Sequence, residues 1–309
     1  MILLADIGAT NARFCVTADS FKYQNSDSFK VEQYSSLEEL CIGYLNKYQL
    51  DTKVKKAVIG VAAPIAGDTV TFVNAQISFS VKALKENLFE EGLIVVNDLA
   101  LQANAIEKNI ESNELSFIGS ERKQLKGPKI LVSPGTGLGL AGIVHGEIIA
   151  TEAGHLNIPL DEANQNLKKV VDCFVLKNER LPTYEDFLSG KGICYFYEIL
   201  SQDKQSNLSS EDILMNTNFE ENSRETIELQ LHLFASYLRY VALVWGSTGG
   251  VYISGSIANS LIKRESYTSF RKVFEESETM HNLLKSIPLV LVTAEDIGFR
   301  GALELSKRL

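Results

Sequence analysis

Two strand–turn–strand patterns, each with a turn of small or polar residues, constrain the fold of this chain more than any other feature. In the first, an apolar run ends at Asp6, the turn Gly8–Asn11 follows, and a second apolar run occupies Phe14–Thr17. This pattern predicts a β-hairpin, in which backbone N–H groups and the Thr and Asn side chains of the turn can surround a phosphate. A turn of this composition also occurs in hairpins with a purely structural role, so the first pattern needs independent support.

The second pattern lies about one domain further along the chain. The apolar run Ile130–Ser133 leads into the glycine-rich turn Pro134–Gly139, and a further apolar run continues to Val144. Two facing hairpins can hold a polyphosphate from both sides, an arrangement typical of the actin-like and hexokinase-like phosphotransferases. Asp6 is the only acid in either hairpin, and its place at a strand end suits a Mg²⁺ ion held through water.

Two further motifs follow strands that read as buried. Gly249–Ser256 has the pattern of a strand that runs into a helix start, and its glycines would let an adenine and a ribose approach the backbone closely. Asn97 and Asp98 stand where the strand Leu93–Val96 ends and the helix Leu99–Ile110 begins, the usual edge for ligand groups in an open α/β sheet. As an alternative, Asp98 caps that helix and Asn97 stabilises the turn.

Taken in chain order, these motifs resemble those of the bacterial glucokinase family, and the resemblance runs from Met1 to about Gly301. The departures from the family pattern are Ala9, Ile77, Ala153 and Ser256, and none of them removes an ionisable group. The motifs that carry the resemblance are Asp6–Arg13, Ala63–Asp68, Asn97-Asp98, Gly135–Gly139, Glu152–His155, Glu185–Gly190 and Gly249–Gly255.

The resemblance implies an α/β fold of the two-lobed actin/hexokinase-like (ribonuclease H-like) type, with a cleft between a small α/β domain and a larger α+β domain. Residues 1–108 and 297–309 are expected to form the small domain, and residues 109–296 the large one. The rest of the chain alternates strand and helix patterns. Two stretches do not: Glu111–Pro128, interpreted as a crossing between the lobes, and Gln202–Ser210, interpreted as a surface loop.

The resemblance also implies ATP-dependent phosphorylation of D-glucose at the 6-hydroxyl, with ATP as the phosphoryl donor and Mg²⁺ as the metal. Asp98 is the expected general base, because a carboxylate there can accept the hydroxyl proton as the sugar oxygen attacks the γ-phosphorus. Asp6 is the expected metal-side acid. The expected sugar-binding residues are Asn74, Asn97, Asp98, Glu152, His155 and Glu185. The expected nucleotide-binding residues are Ala5, Asp6, Ile7, Gly8, Ala9, Thr10, Asn11, Thr136, Gly137 and Gly255.

Several of the sugar-side residues have a structural alternative. Glu185 follows Thr183 by two positions and could be a capping acid at a helix start. His155 could be a hydrogen-bonded core histidine, and Asn74 an ordinary turn asparagine. The spacing of three between Glu152 and His155 favours both side chains reaching one ligand from a single loop.

Two alternatives to glucose phosphorylation stay open at this point. The first is a kinase of the same fold that acts on another hexose or an amino sugar, because specificity depends on hydroxyl contacts that residue identities do not settle. The second is a non-catalytic sugar sensor, which would be expected to lack Asp6 or Asp98, and both are present.

Charge and cysteine usage limit the partners and the location. The chain has 30 basic and 39 acidic residues, a net charge of −9, which argues against nucleic acid or an anionic membrane as a partner. The four cysteines form no C-x-x-C pair, and the first residues lack the basic region of a signal peptide, so the expected location is the cytoplasm. The expected partners are a small-molecule sugar and ATP, and a homodimer is implied by the resemblance alone.

Overall fold

The computed structural model describes residues 1–72, 77–108, 110–119, 126–159, 164–202, 207–215 and 221–309. The chain forms two compact units. The first unit contains Met1–Ser112 and Ala294–Leu309 with the short segment Ile148–Ala150, and the second contains Asn113–Glu147 and Thr151–Thr293. The domain boundaries expected from the sequence, 1–108 with 297–309 and 109–296, stay a prediction.

The regular elements are as follows. In chain order the strands are β1 (Ile2–Ile7), β2 (Asn11–Thr17), β3 (Tyr23–Lys30), β4 (Lys56–Val61), β5 (Thr69–Thr71), β6 (Ser78–Ser80), β7 (Gly92–Asn97), β8 (Leu115–Phe117), β9 (Lys129–Pro134), β10 (Leu138–Val144), β11 (Glu147–Thr151), β12 (Gly250–Ile253) and β13 (Leu289–Val292). The helices are α1 (Leu37–Lys47), α2 (Val81–Leu88), α3 (Asp98–Lys108), α4 (Gln165–Asn178), α5 (Tyr184–Phe187), α6 (Gly190–Ser201), α7 (Ser210–Met215), α8 (Glu221–Trp245), α9 (Ser256–Leu261), α10 (Tyr267–Glu275), α11 (His281–Ser286) and α12 (Ile297–Ser306).

The first unit is built on a five-stranded sheet in the order β3-β2-β1-β4-β7. Strands β1, β4 and β7 are parallel, whereas β2 pairs antiparallel with both β1 and β3. Strand β1 is apolar from Ile2 to Ala5 because both faces of the sheet are covered. On one face Leu3 packs with Tyr44 of α1, and on the other Leu4 packs with Leu101 of α3 and Phe299 of α12.

Helices α3 and α12 of the first unit pack closely because Gly301 has no side chain. A Cβ at this position would overlap the backbone carbonyl of Leu101. Helix α3 follows β7 directly, so the position of its first residue, Asp98, depends on this helix pair as well as on the sheet.

The second unit contains five strands of a sheet in the order β10-β9-β12-β13-β8. Strands β9, β12 and β13 are parallel, and β9 forms an antiparallel hairpin with β10. Helix α8 contributes Phe234 and Leu238 to the core, at the four-residue spacing that places both on one helix face. Its Trp245 ring lies against Gly142 of β10, where any side chain would overlap the ring.

The structure confirms the two hairpins, β1–β2 and β9–β10, and the strand-to-helix transition β12–α9 predicted from the sequence. It also shows elements that the sequence patterns missed. Strand β8 lies inside the stretch interpreted as a crossing, and β3 is a mostly polar edge strand whose composition resembles a loop. Among the described residues, no helix combines the length and apolar content that crossing a membrane requires.

Candidate functional site

The turn between β1 and β2 is a compact tip at the edge of the first sheet. It is closed by the Gly8 amide, which donates to the Asn11 carbonyl at 3.0 Å. The Thr10 and Asn11 residues are exposed at the tip of this turn. The side chains of Ala5 and Ile7 are fully buried in the core, which leaves only their backbone groups for nucleotide contacts.

Asp6 is a buried acid with a specific partner. Its residue is 5% exposed, and its Oδ2 forms an ion pair with the Arg13 guanidinium directly across the hairpin. Arg13 also donates to the Glu295 carbonyl at 3.0 Å. Gly298 of α12 lies so close to the Asp6 carboxylate that a Cβ would overlap it. Asp6 is therefore held in one orientation at the end of β1.

Lys30 adds a cation to this turn that the sequence analysis did not identify. It is the last residue of β3, it pairs in register with Asn11, and its Nζ donates to Asn11 Oδ1 at 2.8 Å. Because the sequence patterns missed β3 as a strand, they gave no reason to place Lys30 beside the hairpin turn. An exposed ammonium group here suits a phosphate ligand.

Asn97 and Asp98 lie at the junction of β7 and α3. The Oδ1 atom of Asn97 accepts the amides of Leu99 at 3.0 Å and Ala100 at 3.1 Å, so Asn97 caps the helix. Oδ1 of Asp98 also accepts the Leu99 amide, at 2.9 Å. The alternative expected Asp98 to cap the helix, and Asp98, its half-buried first residue, does bond to the Leu99 amide, but Asn97 makes the two bonds of a helix cap.

The parallel register brings these motifs of the first unit to one sheet edge. Ile7 lies beside Val61 of β4, and Val61 lies beside Asn97 of β7. With about 4.8 Å between neighbouring strands, the ends of β1 and β7 are about 10 Å apart. The Gly8–Asn11 turn, Asp6 and the Asn97-Asp98 pair thus share the carboxyl edge of the sheet, where ligands bind in α/β proteins.

In the second unit, the glycine-rich turn and Gly255 also share a carboxyl edge. The Gly135 amide donates to the Gly137 carbonyl at 2.8 Å, which closes the turn after β9. Gly255 follows the neighbouring strand β12 with a φ of +98°, and a Cβ there would lie 2.8 Å from Ser133 Oγ. The backbone at Gly255 therefore requires glycine for both conformation and space. Thr136 is exposed at the tip of the turn.

The two segments that carry the predicted sugar-binding acids are joined by their backbones. The Tyr184 amide donates to the Leu156 carbonyl at 2.9 Å, and the Ile158 amide donates to the Pro182 carbonyl at 3.1 Å. The 3-10 turn Ala153–His155 immediately precedes the first of these pairs. These bonds place His155 and Glu185 side by side although they are 30 positions apart in the sequence.

Glu152, His155 and Glu185 form one polar cluster. His155 Nε2 lies 4.0 Å from Glu152 Oε2 and 4.0 Å from Glu185 Oε1. The His155 side chain is 45% exposed, so the alternative of a core histidine is wrong. Burial raises the pKa of Glu152; the positive charge of protonated His155 would lower it and the negative charge of Glu185 raises it further.

Glu185 is not the capping acid of its helix. The capping box of α5 consists of Thr183 and Asp186, whose Oδ2 accepts the Thr183 amide at 2.7 Å. The Arg180 guanidinium donates two hydrogen bonds to the Asp186 carboxylate, of 2.7 and 2.8 Å. With the helix start fixed by Asp186, the Glu185 side chain points elsewhere: its Oε2 accepts the Leu138 amide at 2.9 Å.

Two predicted parts of the site remain to be placed, the sugar-side Asn74 and the metal. Asn74 lies outside the described residues. Within the ranges that the structure describes, no three His, Cys, Asp or Glu side chains are grouped so that they could hold a metal ion by themselves. A magnesium ion can nevertheless bind through one carboxylate with water and ligand phosphates. Asp6 fits that role with one oxygen, since Arg13 engages the other.

The sequence model of the glucokinase family matches residues 3–308, almost the whole chain. The chain belongs to the glucokinase family. It is 32% identical to a glucokinase of Campylobacter jejuni subsp. doylei over 312 residues, which span 97% of this chain and 92% of the relative.

Solved structures agree on the fold. A glucokinase from an Antarctic psychrotroph matches with a TM-score of 0.78 and 26% identity, over 100% of this chain and 99% of that one. A ROK family glucokinase from Streptomyces griseus, in complex with glucose and AMPPNP, matches with a TM-score of 0.70 and 14% identity over 100% and 99% of the two chains. The α/β fold of the actin/hexokinase-like type expected from the sequence is confirmed.

Proposed function

We propose that this protein is an ATP-dependent glucokinase, which transfers the γ-phosphoryl group of ATP to the 6-hydroxyl of D-glucose. One observation supports this reaction above the others: Asp98 lies on the same sheet edge as the Gly8–Asn11 turn, in a chain that belongs to the glucokinase family. A carboxylate on the sheet edge that also carries a phosphate-binding turn can accept the proton of an alcohol that attacks the γ-phosphorus.

In the proposed reaction Asp98 is the general base. Asn97 fixes the start of α3, and with it the backbone of Asp98, through the two amide bonds to its Oδ1. Asp98 accepts the proton of the 6-hydroxyl as the sugar oxygen attacks the γ-phosphorus. The bond between that phosphorus and the bridging oxygen breaks, and ADP leaves with the electron pair. The protein mainly positions the reactants and stabilises charge, because this reaction needs little covalent assistance.

The cluster of Glu152, His155 and Glu185 supplies the proposed sugar contacts, together with Asn97, Asp98 and Asn74. Two carboxylates and an imidazole offer several acceptors and one or two donors within a few ångströms, which suits the adjacent hydroxyls of a pyranose. Glucose as the acceptor is in line with the glucose bound in the Streptomyces griseus structure.

The proposed nucleotide contacts come from the Gly8–Asn11 turn, with the backbone of Ala5, Asp6 and Ile7, and from Thr136, Gly137 and Gly255. ATP is the proposed donor, in line with the ATP analogue AMPPNP in the Streptomyces griseus structure. Mg²⁺ would be held on the Asp6 side, and when bound it neutralises charge on the phosphates.

Two properties outside the site complete the proposal. We propose a homodimer and a cytoplasmic location, both in line with family membership. Sedimentation equilibrium over a range of protein concentrations tests the dimer, and a monomer throughout would contradict it. Cell fractionation with antibody detection tests the location, and recovery of the protein from the membrane or extracellular fraction would contradict it.

A coupled assay tests the proposed reaction. Purified protein is given Mg-ATP and one of glucose, mannose, galactose, fructose or N-acetylglucosamine, and formation of ADP is recorded. The expected result is the highest kcat/KM for glucose and a product that glucose-6-phosphate dehydrogenase oxidises. A higher kcat/KM for another hexose or an amino sugar would show that this sugar, and not glucose, is the preferred acceptor. Glucose binding without ADP formation would indicate a non-catalytic sugar sensor.

A further inference from the structure

The carboxylate of Glu185 contacts two different parts of the second unit. Its Oε1 lies 4.0 Å from His155 in the cluster proposed to bind sugar. Its Oε2 accepts a hydrogen bond from the backbone amide of Leu138, which is the last residue of the turn Gly135–Leu138 and the first of β10. The Glu185 side chain is 24% exposed. One carboxylate therefore has one oxygen near His155 and the other bonded to the end of the Gly135–Leu138 turn.

Two glycines show how closely these parts are packed. A Cβ on Gly137 would lie 2.5 Å from Glu185 Oε2 and 3.0 Å from its Cδ. A Cβ on Gly154, inside the Ala153–His155 turn, would overlap the carbonyl oxygen of Leu138. The peptide groups of Leu138 thus meet Glu185 on one side and the Glu152–His155 segment on the other. A shift of the Glu185 carboxylate has to move the turn or break its bond to the Leu138 amide.

We propose that Glu185 is a positioning residue that couples sugar binding to the conformation of the Gly135–Leu138 turn, so that glucose and nucleotide strengthen each other's binding. This proposal rests on the function proposed above. The physical basis is the single acceptor: while Oε2 holds the Leu138 amide, the turn keeps the conformation seen here, and a sugar that fixes the carboxylate fixes the turn. Such coupling is reciprocal, because each ligand must change the affinity of the other by the same factor.

The chain offers a matched pair of variants in the same turn. Gly137→Ala places a methyl group against the carboxylate, and the flexible end of Glu185 can retreat, so the protein is expected to fold. Gly135→Ala places the methyl group where no atom lies within 4 Å. Neither glycine has a positive φ, so alanine fits the backbone at both positions. Each variant is measured by calorimetry with glucose alone and with Mg-AMPPNP alone.

We expect Gly137→Ala to weaken glucose binding about tenfold in the absence of nucleotide, because the displaced carboxylate loses its place in the sugar cluster. Gly135→Ala is expected to leave the glucose Kd within twofold, whatever it does to nucleotide binding. Equal glucose Kd values for the two variants would overturn the coupling through Glu185.

A second pair of variants tests the same residue without altering the turn. Glu185→Gln keeps a carbonyl oxygen for the Leu138 amide, whereas Glu185→Ala leaves that amide without its acceptor. Measured without sugar, the Kd of Mg-AMPPNP is expected to stay within threefold for Gln and to rise about tenfold for Ala. A residue that only binds sugar would leave the nucleotide Kd unchanged in both variants, and that result would overturn the proposal.

The wild-type protein provides the direct measurement of coupling. Saturating glucose is expected to lower the Kd of Mg-AMPPNP about fivefold or more, Mg-AMPPNP to lower the Kd of glucose by the same factor, and Glu185→Ala to abolish both effects. If glucose and Mg-AMPPNP bind the wild type independently, the coupling is refuted and the proposed kinase function stands. If neither binds, the proposed function fails and the coupling fails with it.

Discussion

Replacing Asp98 with asparagine distinguishes its proposed role as general base from its structural role as the first residue of α3. The loss of each role has a very different energetic cost. The capping bonds of α3 come mainly from Asn97, which the change leaves intact. An asparagine at position 98 keeps an oxygen for the Leu99 amide, which Asp98 accepts at 2.9 Å. The structural cost is then the lost attraction between a negative charge and the helix N-terminus, about 0.3–1 kcal/mol.

The expected catalytic cost is larger. General-base assistance contributes about 10²–10⁴ in rate, and each factor of ten corresponds to about 1.4 kcal/mol of activation free energy. Asp98→Asn is therefore expected to lower kcat by that factor, equivalent to about 3–5 kcal/mol, with the free energy of unfolding reduced by less than about 1 kcal/mol. Glucose affinity is expected to change by less than tenfold, because the amide retains the size and the hydrogen-bonding groups of the acid.

The assay is steady-state kcat with saturating Mg-ATP and glucose, alongside glucose binding by calorimetry and unfolding in urea. Glu38→Gln is a suitable control, since Glu38 is also an acid in the first turn of a helix and its Oε1 accepts a hydrogen bond from the Asn87 side chain at 3.2 Å. It should show the same small loss of stability with an unchanged kcat. A protein with asparagine at position 98 that binds glucose and keeps kcat within threefold of the wild type would refute the role of Asp98 as a base.

Three further predictions concern the metal, the sugar cluster and the fold. Asp6→Ala is expected to raise the Mg²⁺ concentration needed for half-maximal activity, and a titration that overlays the wild type would leave Asp6 a structural partner of Arg13 alone. Burial raises the pKa of Glu152, so its carboxyl takes up a proton at a higher pH than an ordinary glutamate does. As the pH is lowered, glucose affinity should therefore begin to fall before the pH reaches the range in which glutamates usually titrate. Calorimetry across this pH range checks the trend, and Glu152→Gln should reduce it as well as weaken glucose binding by about 1–3 kcal/mol; an identical pH profile in that variant would assign the trend to another group. Gly301→Ala should lower the free energy of unfolding in urea by about 1–3 kcal/mol, because a methyl group would overlap the Leu101 carbonyl between α3 and α12, and an unchanged midpoint would contradict that packing.

Much of the fold could be predicted from the sequence because its signals are local. The apolar runs on both sides of the Gly8–Asn11 and Pro134–Gly139 turns predict the two hairpins, and the structure has both. Asn97 and Asp98 could be placed at a strand end because the change from a continuous apolar run to helical spacing occurs there. Strand β3 could not be predicted in this way, since an edge strand with exposed residues needs no apolar pattern.

Only the tertiary structure decided which side chains meet. The sequence allowed Glu185 to be a capping acid, but the capping box uses Asp186, and this leaves Glu185 to accept the Leu138 amide from a strand 47 positions away. The ion pair of Arg13 with Asp6 and the contact of Lys30 with Asn11 depend in the same way on strand register. A short stretch of sequence fixes backbone conformation through propensity and period. Contacts between distant segments depend instead on register and packing, which arise only when the whole core forms.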